Sequence, residues 1–317
     1  MVRHLALLNE TPYKACLING MVLGSDGRKM SKSLGNYIAT TEVFQKYGAD
    51  TSRQWAAGGG TTGSDIPFRW PDVEYAWRFL IKLWNASRFV SMLLENYKPN
   101  ESHKDLKLTL LDRWLLAKMN RTTINVTEAL EKCQFNTAME AIRSFAWHDL
   151  CDNYIEAAKH RLYRGEVYGE EKRAAAEHTL HTALYQLLQL LAPIAPHVTE
   201  EIYQTMFADD VGHRSIHISP WPAAELNEVD EEAMKKGDLL VAVIGEIRRE
   251  KARRRMPLNS PVKELTIHAG SLENAETLTE SSEDIKGTCK VENLNVVPQK
   301  GDGVAVDGFS EVRFAGL

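Results

Sequence analysis

The chain has 317 residues, 44% hydrophobic and 26% charged, with 38 Lys and Arg against 43 Asp and Glu and a formal net charge of −5. That length accommodates two or three cores, and the composition is that of an ordinary soluble protein. The mild acidity excludes a surface basic throughout but leaves room for a local basic patch.

The four cysteines, Cys16, Cys133, Cys151 and Cys289, stand far apart with no Cys-x-x-Cys pair. Neither a zinc site nor a disulfide framework is expected, which fits a reducing cytoplasm. The apolar run from Met1 to Leu8 ends at Asn9 and Glu10, too short for a signal peptide or membrane span, so no membrane partner is expected.

In chain order, residues 14 to 23 (KACLINGMVL) predict a short buried strand, and Gly24, Asp26 and Gly27 a tight turn. Thr40 or Thr41 caps a predicted helix to about Ala57, stopped by Gly58-Gly59-Gly60. A helix over about 72 to 97 carries Trp77, Leu80, Ile81, Trp84 and Arg88 at three- and four-residue steps. A second, about 106 to 132, has Leu111, Leu115 and Met119 as its inward stripe; a third runs from Asn136 to about Tyr163, and a fourth from Glu170 to about Leu191. Pro193 and Pro196 break the fourth, and a short helix follows to Phe207. Long amphipathic helices on short links make a bundle. Pro220-Trp221-Pro222 and the acidic stretch Glu225, Glu228, Asp230, Glu231, Glu232 read as a connector. Beyond it come a helix (about 232 to 254), a strand (262 to 268), a short acidic helix, and strands near 288 to 298 and 304 to 314, a small α+β module.

The segment richest in chemistry is Lys29-Met30-Ser31-Lys32-Ser33, extended by Leu34-Gly35-Asn36, on a glycine-flanked loop after an apolar stretch. Two lysines three apart, with hydroxyls between them, suit a polyphosphate whose charge the ammonium groups neutralise. It is no Walker loop, because Arg28 follows Gly27 where that motif needs its lysine.

Residue for residue, Lys29 to Asn36 resembles the KMSKS signature of class I aminoacyl-tRNA synthetases. The resemblance implies that the loop closes a Rossmann-type catalytic domain and stabilises the pyrophosphate end of ATP, with its Mg2+, during amino-acid activation. Lys32 is then the first candidate for the catalytic ATP contact, with Lys29 in support. Lys46-Tyr47-Gly48-Ala49-Asp50, Arg53 and Trp55 look like the helix that follows this loop in the branched-chain enzymes. Lys82-Leu83-Trp84-Asn85-Ala86-Ser87-Arg88-Phe89 is similar to a run typical of valyl-tRNA synthetases, as is Asp152 to Lys159 followed by Arg161-Leu162-Tyr163. Asn153 and His160 depart from the family's usual Trp and Pro, so the isoleucine and leucine branches stay open as alternatives. Leu191 to Ile202 (LAPIAPHVTEEI) is shared across the class, and the resemblance covers about residues 1 to 265.

By this resemblance the chain is mainly α: the end of a Rossmann-type catalytic domain (1–60), an anticodon-binding helical bundle (61–222) and a small α+β module (223–317). No His-x-Gly-His or His-x-Gly-Asn motif occurs. The expected role is therefore part of a valine–tRNA ligase, inactive alone and acting with an amino-terminal catalytic and editing portion, as a monomer. A stand-alone tRNA-binding module is the alternative from another class.

For valine tRNA, the expected base contacts are Arg88 and Phe89, with Arg69, Trp84 and Asn85, because unpaired bases stack on aromatics and arginine planes. The basic run Arg248, Arg249, Lys251, Arg253, Arg254, Arg255 is expected to meet phosphates. His178 and His181 lack the companions of a metal site, and His148-Asp149 are helix neighbours that point apart, so neither pair is taken as catalytic.

Overall fold

The structure is a computed structural model that describes residues 7–8, 13, 15–97, 99, 106–224 and 229–316. Glu225 and Glu228 of the predicted connector, and most of the opening apolar run, lie outside the described residues.

The predicted strand over 14–23 shrinks to Val22–Leu23 (β1), which pairs in parallel with Ile66–Pro67 (β2). Leu17, Ile18 and Met21 are exposed rather than buried. A ladder this short has few hydrogen bonds. The predicted helix over 40–57 is two, Thr40–Tyr47 (α1) and Ala49–Gly58 (α2). Gly48 separates them at φ +82, a conformation that a side chain would strain. The residue before α1 is Ala39, so neither threonine caps it.

The first bundle helix is Trp70–Leu93 (α3), with Pro71 in its first turn, where the missing N–H costs nothing. Its inward face is Val73, Ala76, Phe79, Leu80, Leu83 and Val90. Of the predicted stripe only Leu80 is fully buried, while Trp77 and Ile81 face outward at 40% and 42% exposure. Leu110–Glu131 (α4) starts with a capping box between Thr109 and Asp112. Leu111, Leu115 and Met119 are its buried stripe, as predicted. The predicted third helix winds in three ways: Phe135–Ser144 (α5), a π-helical segment Phe145–Ile155, and Glu156–Tyr163 (α6). Glu170–Leu191 (α7) and Pro196–Met206 (α8) complete the bundle on either side of Pro193.

Glu231–Arg253 (α9), capped by the Asp230 carboxylate, packs along α4 and leads to a mixed sheet. Its strands are Val262–His268 (β3), Val291–Val297 (β4), Val304–Val306 (β5) and Phe309–Ala315 (β6), in the order β4-β3-β6-β5. β3 and β4 are parallel, and the crossover holds two helices, Leu272–Glu280 (α10) and Ser282–Cys289 (α11), where one was predicted. The predicted strand over 304–314 is a hairpin of β5 and β6.

One buried apolar cluster runs from Phe79 on α3 through Trp114, Leu184 and Val243 to Ile267 and Phe314 in the sheet. A smaller one, Val43, Phe68 and Val73, lies under the lysine loop with Met30, Ile38 and Trp55 packed against it. No helix among the described residues is long and apolar enough to cross a membrane.

Candidate phosphate loop and nucleic-acid interface

The loop from Gly24 to Asn36 is braced from inside. Gly24 and Gly27 close its entry turn, Gly24 N–H donating to the Arg28 carbonyl at 2.8 Å and Gly27 N–H to that of Gly24 at 2.9 Å. Asn36 then ties the far end back. Its Oδ1 accepts from Ser31 N–H at 2.8 Å, and its Nδ2 donates to Asp26 Oδ1 at 3.1 Å and the Lys29 carbonyl at 3.3 Å. Hydrogen bonds from the Arg28 main chain and the Asn36 amide hold the exposed Asp26 carboxyl below its usual range. Lys32–Leu34 forms a single 3₁₀ turn that ends at Gly35 in the left-handed region, φ +68.

This bracing presents the lysines outward. Met30 packs down onto the Val43 and Phe68 cluster as an anchor, while Lys29, Lys32 and Ser33 are exposed. Ser31 Oγ and Ser33 Oγ lie 2.8 Å apart, and the Lys32 ammonium sits 5.5 Å from the Tyr37 ring centroid. Neither lysine meets a carboxylate among the described residues, so both remain available to an anion. Nothing in the spacing foreshadows Asn36 as the brace; its contacts run back ten positions to Asp26.

The helix after the loop is bolted to the bundle. Arg53 on α2 donates to the carbonyls of Ile194 and Pro193, both at 2.9 Å, and Asp50 Oδ2 accepts from Val198 N–H at 2.7 Å in the first turn of α8. Loop and bundle thus share one frame through two sequence segments that resemble the same class.

On the bundle, the predicted RNA contacts do not form one patch. Arg88 and Trp84 line a cavity of about 440 Å³ with Ser87, Met92, Thr205 and Met206, between α3 and α8. Arg88 is exposed and makes no ion pair among the described residues, whereas Trp84 is half-buried. Phe89, one residue on, turns away: it meets Tyr163 edge-on at 6.3 Å, with the Lys159 ammonium 5.2 Å from its ring. Adjacent helical residues project about 100° apart, so Arg88 and Phe89 cannot grip one base together. Asn85 is exposed; Arg69 stands before the first residue of α3 and pairs with Asp72 at 2.9 Å. Nineteen residues along a helix place it roughly 28 Å from Arg88.

The basic run is largely matched by acids. Arg248 bonds Glu156 at 3.1 Å, Arg249 and Arg253 share Glu246 at 2.7 and 3.0 Å, and Arg254 holds Glu250 at 2.7 Å. Arg255 is exposed. Lys251 departs from the expectation of a phosphate contact. Its side chain is enclosed, and its ammonium donates to the carbonyls of Leu258, Ser260 and Cys289 at 3.3, 2.7 and 2.6 Å. A helix carrying bases all round must turn one inward, and here three main-chain acceptors await it.

His148 is exposed, while Asp149 is half-buried and burial raises its carboxyl to about 6. No group of three or more His, Cys, Asp or Glu among the described residues is placed to hold a metal ion.

Two family models match separate parts of the chain. A family model described as tRNA synthetases class I (I, L, M and V) matches residues 1–69, and the anticodon-binding domain of tRNA ligase matches residues 112–267. The valine–tRNA ligase of Methanothermobacter thermautotrophicus is 45% identical over 300 residues, 95% of this chain and 32% of its own length. That of Pyrococcus abyssi is 41% identical over 311 residues, 98% of this chain and 34% of its own. The chain therefore spans about a third of the length of the curated relatives it matches. Among solved structures, the agnB2 LeuRS of Agrobacterium radiobacter K84, in a ternary complex with tRNA and LeuAMS, aligns with a TM-score of 0.51 at 24% identity. The match covers 68% of this chain and 24% of that one, a likeness of fold.

Proposed function

This chain belongs to the class I tRNA synthetases, and on that footing we propose that it supplies the ATP-phosphate loop and the tRNA-gripping bundle of a valine–tRNA ligase. The observation that carries the proposal is the braced loop, which holds two lysines outward without carboxylate partners on the same frame as the bundle. Identity of 41–45% to valine–tRNA ligases over nearly the whole chain supports the amino acid.

In the reaction, valine attacks the α-phosphorus of ATP and pyrophosphate leaves. Lys32, aided by Lys29, neutralises charge as it gathers on the departing oxygens, and Mg2+ arrives with the nucleotide. Preorganised charge of this kind is among the largest contributions an enzyme can make. Asn36 keeps the loop shaped for that role. The bundle holds the tRNA, with Arg88 in the groove beside Trp84 reaching an anticodon base.

The test is valine-dependent exchange of pyrophosphate with ATP. The chain alone should show none, and exchange should appear when the amino-terminal portion of a related valine enzyme is supplied. Exchange by the chain alone, or none after supplementation with a portion that demonstrably associates, overturns the proposal.

A further inference from the structure

Away from the lysine loop and from Arg88, one cluster of side chains has no role in the account above. Tyr75 of α3 and Trp147 of the π-helical segment lie nearly parallel, 15° apart with centroids 6.4 Å from each other, and Tyr75 is 51% exposed. Each ring has a cation over it. The Arg143 guanidinium carbon is 5.2 Å from the Tyr75 centroid, and the Lys82 ammonium 4.1 Å from that of Trp147.

The two cations differ in kind. Lys82 is matched by Asp152 at 2.7 Å. Arg143 forms no ion pair among the described residues; it reaches the Gln54 carbonyl at 3.5 Å, and the Gln54 side-chain oxygen at 3.2 Å once that amide is turned. Burial lowers its pKa from the usual arginine value, the mark of a charge removed from water without a full counter-charge. Both rings and Arg143 open onto a cavity of about 560 Å³, whose other walls are Gly58, Asn136, Glu140, Ser144 and His148.

Three properties meet there. Flat rings beside cations attract the face of a nucleobase. An unmatched guanidinium in a partly desolvated place attracts a phosphate, with which it forms charge-assisted bonds. Asn136 and Ser144 offer donors and acceptors to a base edge. Glu140 on the same wall opposes a bare anion, so the rings have to carry most of the attraction. The π-helical winding around Trp147 is a separate indication, because such winding is rare and recurs at functional positions.

We propose that this cavity holds one unpaired nucleotide of the bound RNA, its base on Tyr75 and Trp147 and its phosphate on Arg143. The proposal rests on RNA being the partner of this chain. Tyr75 precedes Arg88 by thirteen residues on α3, roughly 20 Å along the helix, so the nucleotide is a different one from that at Arg88.

The test uses the whole chain with two probes, a valine tRNA transcript and a hexanucleotide of uridylate. Tyr75→Ala and Trp147→Ala are compared with Tyr75→Phe and Trp147→Phe, all checked for fold by circular dichroism. Tyr75→Ala removes a half-exposed ring, so it remains informative even if Trp147→Ala does not fold. Each alanine variant should bind both probes about 5- to 150-fold more weakly, while the phenylalanine variants keep most of the affinity. Arg143→Gln should lower the salt dependence by about one counterion. Alanine variants that fold and bind both probes as tightly as the parent overturn the nucleotide site, yet the parent's affinity for tRNA leaves the tRNA reading standing. Tyr75-dependent binding of the hexanucleotide without binding of tRNA supports the site and overturns the tRNA reading. No binding of either probe by the parent overturns both.

Discussion

Arg161 of α6 and Asp112 of α4 form a doubly hydrogen-bonded ion pair in the bundle interior, one guanidinium nitrogen 2.9 Å from Oδ2 and the other 3.0 Å from Oδ1. Both side chains are withdrawn from water. Tyr154 adds a hydrogen bond to Oδ1 at 2.6 Å, and the Thr109 hydroxyl one to Oδ2 at 2.7 Å. Burial pushes the Asp112 carboxyl up, but Arg161, Tyr154 and Thr109 together outweigh it and hold the group below its usual range. One acid thus caps α4, anchors α6 and joins the π-helical segment to both.

Arg161→Met should strand that carboxylate and cost about 3–5 kcal/mol in urea unfolding, because breaking a buried pair leaves an uncompensated charge. Arg161→Met with Asp112→Leu should recover part of the loss. Because the folded pKa of Asp112 is lowered, its contribution in the parent is present above the unfolded carboxylate pKa and is lost as pH falls through the folded value. A single variant as stable as the parent at neutral pH would contradict this role.

Asp284 on α11 brings the α+β module onto the same network, its Oδ1 3.5 Å from Arg161 Nε and 3.4 Å from His160 Nε2. His160 Nδ1 lies 2.8 Å from the Ala157 carbonyl, so Nδ1 carries the proton and Nε2 is bare. Burial and the neighbouring Arg161 lower His160 to about 4, and burial raises Asp284 to about 6 despite Arg161. A raised carboxyl contributes stability that is full below its unfolded pKa and lost as pH rises through about 6. Asp284→Asn should therefore be more stable than the parent at pH 8 and lose that advantage as pH falls from about 6 toward 4. Unfolding midpoints across that range, with an unchanged gap at both ends, would exclude this titration.

Much of the helical architecture was legible in the sequence, and the failures have physical causes. The Leu111, Leu115, Met119 stripe of α4 is buried as expected, but Trp114 and Ala117 off that stripe are buried too, because other helices pack on more than one side of α4. On α3, Leu80 and Trp84 of the predicted stripe do meet the core, but Trp77 and Ile81 do not, because Val73, Ala76 and Leu83 set the buried face and period alone placed the stripe partly off it. The π-helical winding leaves no mark on apolar spacing. The lysine loop was recognisable as a string, but its brace depends on Asn36 meeting Asp26. Arg88 and Phe89 are adjacent in sequence and divided in space. Asp112 and Arg161, 49 positions apart, had no signal linking them before the fold brought them together.

For the loop, Lys32→Ala in a full-length enzyme carrying this segment should slow valine activation by roughly 10²-fold or more. Asn36→Ala should slow it as well, since the lysines remain but their presentation loosens. Neither change should alter tRNA affinity, the bundle being untouched. Pre-steady-state activation rates decide this, and a normal rate for Lys32→Ala would remove that residue from the chemistry.

In the basic run, Lys251→Met should lower stability by about 1–3 kcal/mol by leaving buried carbonyls without their donor. The salt dependence of tRNA binding should stay as it is. Arg255→Gln should do the opposite, leaving stability unchanged while reducing the salt slope. Parallel denaturation and salt titration separate the two, and a reduced slope for Lys251→Met would show that its ammonium reaches phosphate after all.

The most direct measurement is the affinity of this chain for a valine tRNA transcript against the same transcript with a changed anticodon, for the parent and for Arg88→Ala. The parent should prefer the valine anticodon, and Arg88→Ala should lose about 1–3 kcal/mol on the cognate RNA and most of the preference. Equal affinity of the parent for both transcripts would contradict the assignment of this bundle to anticodon recognition.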